Sequence, residues 1–221
     1  MKKSNPAARI FVVDDHPIVR EGLAAQIAND PGLELCGDAE DVAEAMTRIA
    51  ACRPDVVIVD IALKTGNGID LVKRLKAHDN AVRVLVWSMH PENLYAERAL
   101  RAGALGYIHK GKAAGQILQA IRAVLAGKVY LSEEMSGKIV SRVFGDDGKQ
   151  VGRSPVEALT DRELEAFELL GSGQTTQQIA KYMHVSPKTV ETYRARIKEK
   201  LQLKNGTELI QHAVQWVVGK T

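Results

Sequence analysis

Five side chains able to do polar chemistry stand where apolar runs of the sequence stop. Asp14 and Asp15 follow Ile10–Val13, Asp60 follows Val56–Val59, Ser88 follows Val82–Trp87, and Lys110 stands just beyond Gly106–Ile108. Three carboxylates brought to one rim repel each other, so the cluster calls for a hard cation, and Mg2+ favours oxygen ligands while keeping several waters. Beside such an ion Asp60 is a carboxylate nucleophile toward a phosphoryl donor, with the Lys110 ammonium neutralising charge on the oxygens in flight. The product of that chemistry is an aspartyl phosphate. Each residue alone has a plainer use: Asp14 and Asp15 as helix caps, Asp60 as a strand end, Lys110 as a solvated cation. Their recurrence at four strand ends favours one pocket. His16, next to Pro17, reads as local packing or capping and receives no role.

A pocket of this kind needs strands that run side by side. The apolar runs Ile10–Val13, Leu33–Gly37, Val56–Val59, Val82–Trp87 and Gly106–Ile108 alternate with helical patterns, as in a parallel sheet covered on both faces. Val56–Val59 is continuous Val and Ile, as a strand buried on two faces requires. Pro17 suits a helix first turn, Ala43–Ala51 and Ile69–Ala77 repeat apolar residues every three or four positions, and Ile117, Ile121, Val124 and Leu125 form a final stripe. The expected fold is α/β, a (βα)5 doubly wound parallel sheet, and ligands of such sheets collect beyond the carboxyl ends of the strands.

From about Arg9 to Ala126 this pattern resembles the receiver domains of two-component response regulators. The resemblance implies that Asp14, Asp15, Asp60 and the backbone carbonyl of Ala62 hold Mg2+. It further implies that Asp60 accepts phosphate from a sensor histidine kinase, while Ser88 and Lys110 hold the phosphoryl oxygens. Tyr107, three positions before Lys110, occupies the place of an aromatic switch that swings inward when the hydroxyl moves toward phosphate. One departure is visible in Asp60-Ile-Ala-Leu-Lys-Thr-Gly-Asn-Gly68, where Lys64 replaces a usual proline and Gly68 is retained. A haloacid-dehalogenase-like phosphatase also forms an aspartyl phosphate, but its nucleophile lies in a DxD motif, and Ile61 and Ala62 follow Asp60 here. The chain therefore reads as a regulator and not as an enzyme acting on external phosphoesters.

The remainder of the chain has a different grammar. Glycine, aspartate, lysine, serine and proline mix without periodicity over 145–155, after an amphipathic stretch from Ser132 to Phe144. From Leu159 to Val218 the periodicity is helical, and breaks at 171–173, 184–186 and 204–206 divide it into four helices, an all-α domain. Thr160 with Glu163 forms a capping-box pattern. Ala180 supplies a small side chain for a close helix crossing, a tight turn follows, and Pro187 opens the next helix, which is helix-turn-helix grammar. Seven Lys or Arg stand between Lys181 and Lys204 against Glu191 and Glu199, whereas Glu157–Glu168 holds five acids and one arginine. A basic stripe of this kind suits phosphate neutralisation on duplex DNA, although it also fits a solvated helix face.

Leu159-Thr-Asp-Arg-Glu163, Ile179-Ala180, Ser186-Pro-Lys-Thr-Val-Glu191 and Lys200-Leu201 resemble the LuxR-type helix-turn-helix over about Ala158 to Val218. The order of the two segments is similar to that of the NarL/FixJ class. The resemblance implies that Lys188 and Thr189 hold the DNA backbone, that Glu191, Thr192 and Ala195 approach base edges, and that Arg194, Arg196 and Lys200 meet phosphates. Tyr193 stands where a histidine is common, and Ala195 offers only a methyl group. The last helix, from Thr207 to Val218, is expected to expose Leu209, Ile210, Ala213, Val214, Trp216 and Val217, and its place in the family implies a homodimer.

Bulk properties agree with two folded domains. The 221 residues are 45% hydrophobic and 26% charged with a net charge of +3, which excludes a disordered tail protein and leaves charge location to decide a nucleic-acid partner. Expected segments are a tail over 1–8, a receiver over 9–127, a linker with an amphipathic helix over 128–155, and the DNA-binding domain over 156–221. Cys36 and Cys52 show no metal-ligand spacing and read as reduced thiols. With no signal peptide or membrane-length run, the cytoplasm is the expected compartment. A phospho-switched adaptor whose helical domain binds protein is the alternative to a transcriptional regulator.

Overall fold

The computed structural model describes residues 6–112, 114–144 and 155–219. By its contacts the chain divides into two units, Met1–Gly145 and Asp146–Thr221. Among the described residues no helix is long and apolar enough to cross a membrane.

The first unit alternates strands and helices: β1 Ala8–Val13, α1 Pro17–Ala28, β2 Leu33–Ala39, α2 Val42–Cys52, β3 Val56–Val59, α3 Gly68–His78, β4 Arg83–Ser88, α4 Glu92–Ala102, β5 Gly106–His109, α5 Ala114–Leu125 and α6 Glu133–Phe144. The strands pair in the order β2-β1-β3-β4-β5, all parallel. The order reverses between β1 and β3, the point at which such sheets open a crevice beyond their carboxyl ends. Burial explains the strand sequences. Ile10, Val12, Val56, Ile58 and Leu85 pack on one side with Leu23 and Ile27 of α1 and Ile117, Ile121 and Val124 of α5. Phe11, Val13, Val57, Val59, Val84 and Val86, alternating with them, are also fully buried, so the central strands carry apolar side chains in both directions.

Local chemistry sets the helix starts. Asp41 caps α2 by accepting the Glu44 N–H, and Asn67, buried, caps α3 by accepting from Ile69. Gly68 has a stricter reason, because a Cβ there would lie 1.9 Å from the Asp60 carbonyl oxygen. Only glycine lets the start of α3 come so close to the end of β3. The amphipathic stretch expected in the linker is α6, and it packs against α4 within the first unit. The glycine-rich piece beyond it, 145–154, lies outside the described residues.

The second unit holds a 3-10 turn at Pro155–Ala158 and then α7 Asp161–Gly171, α8 Thr176–Tyr182, α9 Pro187–Lys200 and α10 Gly206–Val218. Capping boxes open α7 (Thr160 with Glu163) and α8 (Thr175 with Gln178), Ser186 caps α9 with Pro187 at its start, and Asn205 caps α10. Leu164, Phe167, Ile179, Met183, Val190, Ile197, Leu209 and Ala213 form the buried interior. This corrects the expectation for the last helix: Leu209 and Ala213 are fully buried against α7, where a Cβ on Gly171 would lie 2.4 Å from the Ala213 carbonyl. Trp216 is half-buried, its ring edge-on to Phe167 at 5.3 Å. The exposed stripe is narrower than expected: Ile210, Val214 and Val218, spaced by four.

Candidate functional site: an acidic pocket and a basic helix

Parallel register brings the strand ends together. Val13 pairs with Val59, so Asp14 and Asp60 leave adjacent strands at the same level, and Ser88 pairs with His109, one residue before Lys110. Asp14, Asp60 and Ser88 are buried. The Lys110 ammonium bridges Asp14 Oδ2 and Asp60 Oδ2, each at 2.5 Å, and lies 5.6 Å from the Trp87 ring centroid. Asp60 Oδ1 is buried with no hydrogen-bond partner among the described residues. Asp14, Asp15, His16 and Asp60 each place a ligand atom within 4.8 Å of one another.

The electrostatics follow from that packing. Burial raises the Asp14 carboxyl above its ordinary value; Lys110 opposes this and Asp60 adds to it. Burial pulls Lys110 down, but the charges and hydrogen bonds of Asp60 and Asp14 outweigh it and hold the ammonium above its usual value. One buried cation thus faces more negative charge than it can neutralise. The donor set is all oxygen apart from His16, and two of its carboxylate oxygens, Asp60 Oδ1 and, apart from its contact with His16, Asp15 Oδ1, are buried without a hydrogen-bond partner among the described residues, which fits a hard divalent cation.

His16, given no role from sequence, has its Nδ1 2.7 Å from Asp15 Oδ1, and its backbone N–H donates to Asp14 Oδ1 at 3.0 Å. Ala62 is half-buried just past Asp60, bridged to Asn67. Lys64, at the usual proline position, holds Glu40 Oε1 at 2.5 Å and so ties the loop after Asp60 to the loop after β2. Tyr107 is fully buried, and its hydroxyl donates to the His90 carbonyl at 2.6 Å, so the aromatic switch candidate stands in the inward position.

In the second unit α9 presents Lys188, Glu191, Thr192, Ala195 and Arg196 at the surface. Thr189 is half-buried, its hydroxyl 2.8 Å from that of the cap Ser186. Arg194 donates to Thr176 at 2.9 Å and Glu191 at 3.2 Å, and Thr176 also donates to Glu191 at 2.8 Å, which braces α9 against α8. Lys200, also at the surface, has a partner on α7. Its ammonium lies 2.6 Å from Oε2 of buried Glu163, the same oxygen that accepts the Thr160 N–H at 2.8 Å, so its charge is already paired with a buried carboxylate.

Residues 10–122 match the family model of the response regulator receiver domain, and residues 157–213 match that of bacterial regulatory proteins of the luxR family. The chain is a response regulator of the NarL/FixJ class. It is 35% identical to the DNA-binding transcriptional activator DevR/DosR of Mycobacterium tuberculosis over 207 residues, covering 94% of each chain. It is 34% identical to the response regulator GacA of Pseudomonas viridiflava, covering 94% of this chain and 95% of the relative. The crystal structure of a LuxR-family two-component response regulator from Aurantimonas sp. SI85-9A1 superposes with a TM-score of 0.58 at 36% identity, covering 62% of this chain and 98% of the other. The regulator is thus an α/β receiver joined to a LuxR-type DNA-binding domain, and its acidic cluster and basic helix belong to those two parts.

Sequence reasoning missed two kinds of partner in this regulator. The braces Thr176 and Glu163 sit on helices other than the one they hold, 18 residues from Arg194 and 37 from Lys200, and no short-range pattern marks those pairings. His90 meets the Tyr107 hydroxyl through its backbone carbonyl, which side-chain motifs cannot reveal.

Proposed function

We propose that this regulator is switched by phosphorylation of Asp60 and that the switch controls binding of a homodimer to duplex DNA. The observation that carries the reading is the state of the Asp60 carboxylate, with one oxygen held by Lys110 and the other, Oδ1, buried and unclaimed among the described residues. That second oxygen is the nucleophile toward phosphorus. The phosphodonor is a sensor histidine kinase, or a small acyl phosphate in its place, and the leaving group departs as the Asp60 Oδ1–P bond forms. Asp14, Asp15, Asp60 and the Ala62 carbonyl would hold Mg2+, which when bound offsets negative charge on the phosphoryl oxygens. Lys110 moves its ammonium from the carboxylates to a phosphoryl oxygen, and the Ser88 hydroxyl donates to another. The new group brings about −1.5 to −2 charges to a pocket whose one buried cation is already shared.

The receiver is assigned to 9–127 and the DNA-binding domain to 156–221, in a cytoplasmic protein. On α9, Lys188, Thr189 and Arg196 are assigned to the DNA backbone and Glu191, Thr192 and Ala195 to base edges, with Arg194 reaching phosphate only by leaving Thr176. Lys200 is withdrawn from that set. The stripe Ile210, Val214 and Val218 is the dimer face. The printed name of the Mycobacterium tuberculosis relative, a DNA-binding transcriptional activator, supports the duplex as the partner.

Incubation with Mg2+ and a small acyl phosphate, followed by intact mass, tests the switch. Wild type gains one phosphoryl group and Asp60→Asn gains none; a folded wild type that stays unmodified overturns the assignment. DNA binding of the phosphorylated protein is expected to weaken with salt and on Lys188→Ala.

A further inference from the structure

The turn between β4 and α4 carries two duties four residues apart. Ser88 ends β4, and its hydroxyl oxygen accepts the His90 N–H at 3.4 Å. Glu92 opens α4, and its Oε1 accepts the backbone N–H of Ser132 at 2.8 Å. Ser132 is also where α6 begins, because its hydroxyl oxygen accepts the Met135 N–H at 3.1 Å and Met135 is buried.

Tyr107 closes the circuit. Its hydroxyl donates to the His90 carbonyl at 2.6 Å, and its backbone N–H donates to the Tyr130 carbonyl at 2.9 Å. Tyr130 in turn donates to the Leu105 carbonyl at 3.0 Å, so the segment before α6 lies along β5 as a parallel bridge opposite Gly106. The approach is close enough that a Cβ on Gly106 would lie 2.9 Å from the Tyr130 oxygen. His90, Tyr107, Tyr130, Ser132 and Glu92 thus form a ring whose two ends lie in one turn. A shift of that turn that carries Ser88 toward a phosphoryl group moves the His90 carbonyl and the Glu92 carboxylate together, and both pull on the same segment. Val129 beside it is 60% exposed, so backbone hydrogen bonds and not burial of that side chain hold the strap in place.

We infer that Tyr130–Ser132 is a transmission strap: it reads the position of the β4–α4 turn and passes it to α6, the last described element before the DNA-binding unit, with Glu92 as its positioning residue. The inference rests on the assignment of Asp60 as phosphoacceptor. The warrant is a bonded ring with one adjustable turn, which gives the two states of the switch different contacts to the same segment.

The test compares full-length wild type, Glu92→Ala and Glu92→Gln, each with and without acyl phosphate and Mg2+. Three quantities are measured: extent of phosphorylation by intact mass, amide hydrogen exchange over 128–136, and affinity for a DNA fragment selected by the phosphorylated wild type. Wild type is expected to gain affinity on phosphorylation by a factor in the ordinary coupling range of about 5–150. Glu92→Ala is expected to be phosphorylated as fully as wild type, to lose protection at the Ser132 amide, and to gain affinity by less than about twofold. Glu92→Gln keeps an acceptor oxygen and is expected to restore most of the gain. Full gain in Glu92→Ala, with wild type phosphorylated and binding, overturns the strap alone. A wild type that takes no phosphoryl group, or gains no affinity from it, overturns the functional reading and the strap with it.

Discussion

Lys200→Met separates a structural lysine from a DNA-binding one. In the native protein the Lys200 ammonium lies 2.6 Å from Glu163 Oε2, with side-chain exposures of 33% and 2%. A hydrogen bond to a charged group contributes about 1.5–3 kcal/mol. With one partner about a third exposed, solvent screening cuts this roughly in half, to about 1 kcal/mol. In a unit this small that corresponds to a fall in Tm of about 4–8 °C, read by calorimetry of the full chain. The pH dependence has a definite sign. Burial raises the Glu163 carboxyl, but the Lys200 hydrogen bond and those from Thr160 outweigh it, so the folded protein holds the group below its ordinary value. The pair therefore contributes fully above the unfolded carboxylate value of about 4.3 and loses its contribution as pH falls through the folded value. The difference between wild type and Lys200→Met narrows over that acidic range, and Glu163→Gln removes it. On DNA, Lys188→Ala is expected to lower the slope of log affinity against log salt by about 0.9, and Lys200→Met to leave it unchanged. A Lys200→Met protein with native Tm and a reduced salt slope would refute the pairing and return Lys200 to the phosphates.

Three further outcomes follow from the receiver. Asp14→Asn is expected to raise its stability at pH 7 without added Mg2+, because burial, with Asp60 adding, holds that carboxyl above its ordinary value; denaturant titration should show the gain vanish below about pH 4, where the unfolded group is protonated as well. Gly68→Ala drives a Cβ to within 1.9 Å of the Asp60 carbonyl, backbone against side chain, so a loss at or beyond the usual overpacking cost of about 1–3 kcal/mol is expected, with slower phosphorylation of the displaced Asp60. Tyr107→Phe removes the 2.6 Å bond to the His90 carbonyl and is expected to cost about 1 kcal/mol by thermal unfolding, with the extent of phosphorylation unchanged.

The acidic pocket was legible because parallel strands make a simple promise: residues that end consecutive apolar runs arrive at one rim. Asp14, Asp60, Ser88 and Lys110 are found there, and the Val13–Val59 and Ser88–His109 pairings show why. The four helices of the second unit were legible for a similar reason, since the Thr160–Glu163 capping box, Pro187 and the breaks at 171–173, 184–186 and 204–206 act over a few residues. A local rule can be read along a line.

What the line of residues could not give were choices made by distant partners. Periodicity marks α10 as apolar, yet only the approach of Gly171 to Ala213 decides that Leu209 and Ala213 face inward and that Ile210, Val214 and Val218 are left outside. A basic stripe marks α9, yet Glu163 and Thr176, on other helices, decide which of its cations are already engaged. Sequence alone determined the fold class, the acidic cluster at the strand ends and the helix-turn-helix, because those depend on residue type and on spacing within one element. The inward Tyr107, the Lys64–Glu40 tie and the ring through Tyr130 and Glu92 were decided by tertiary structure, because a hydrogen bond or ion pair exists only where packing sets two groups within about 3 Å.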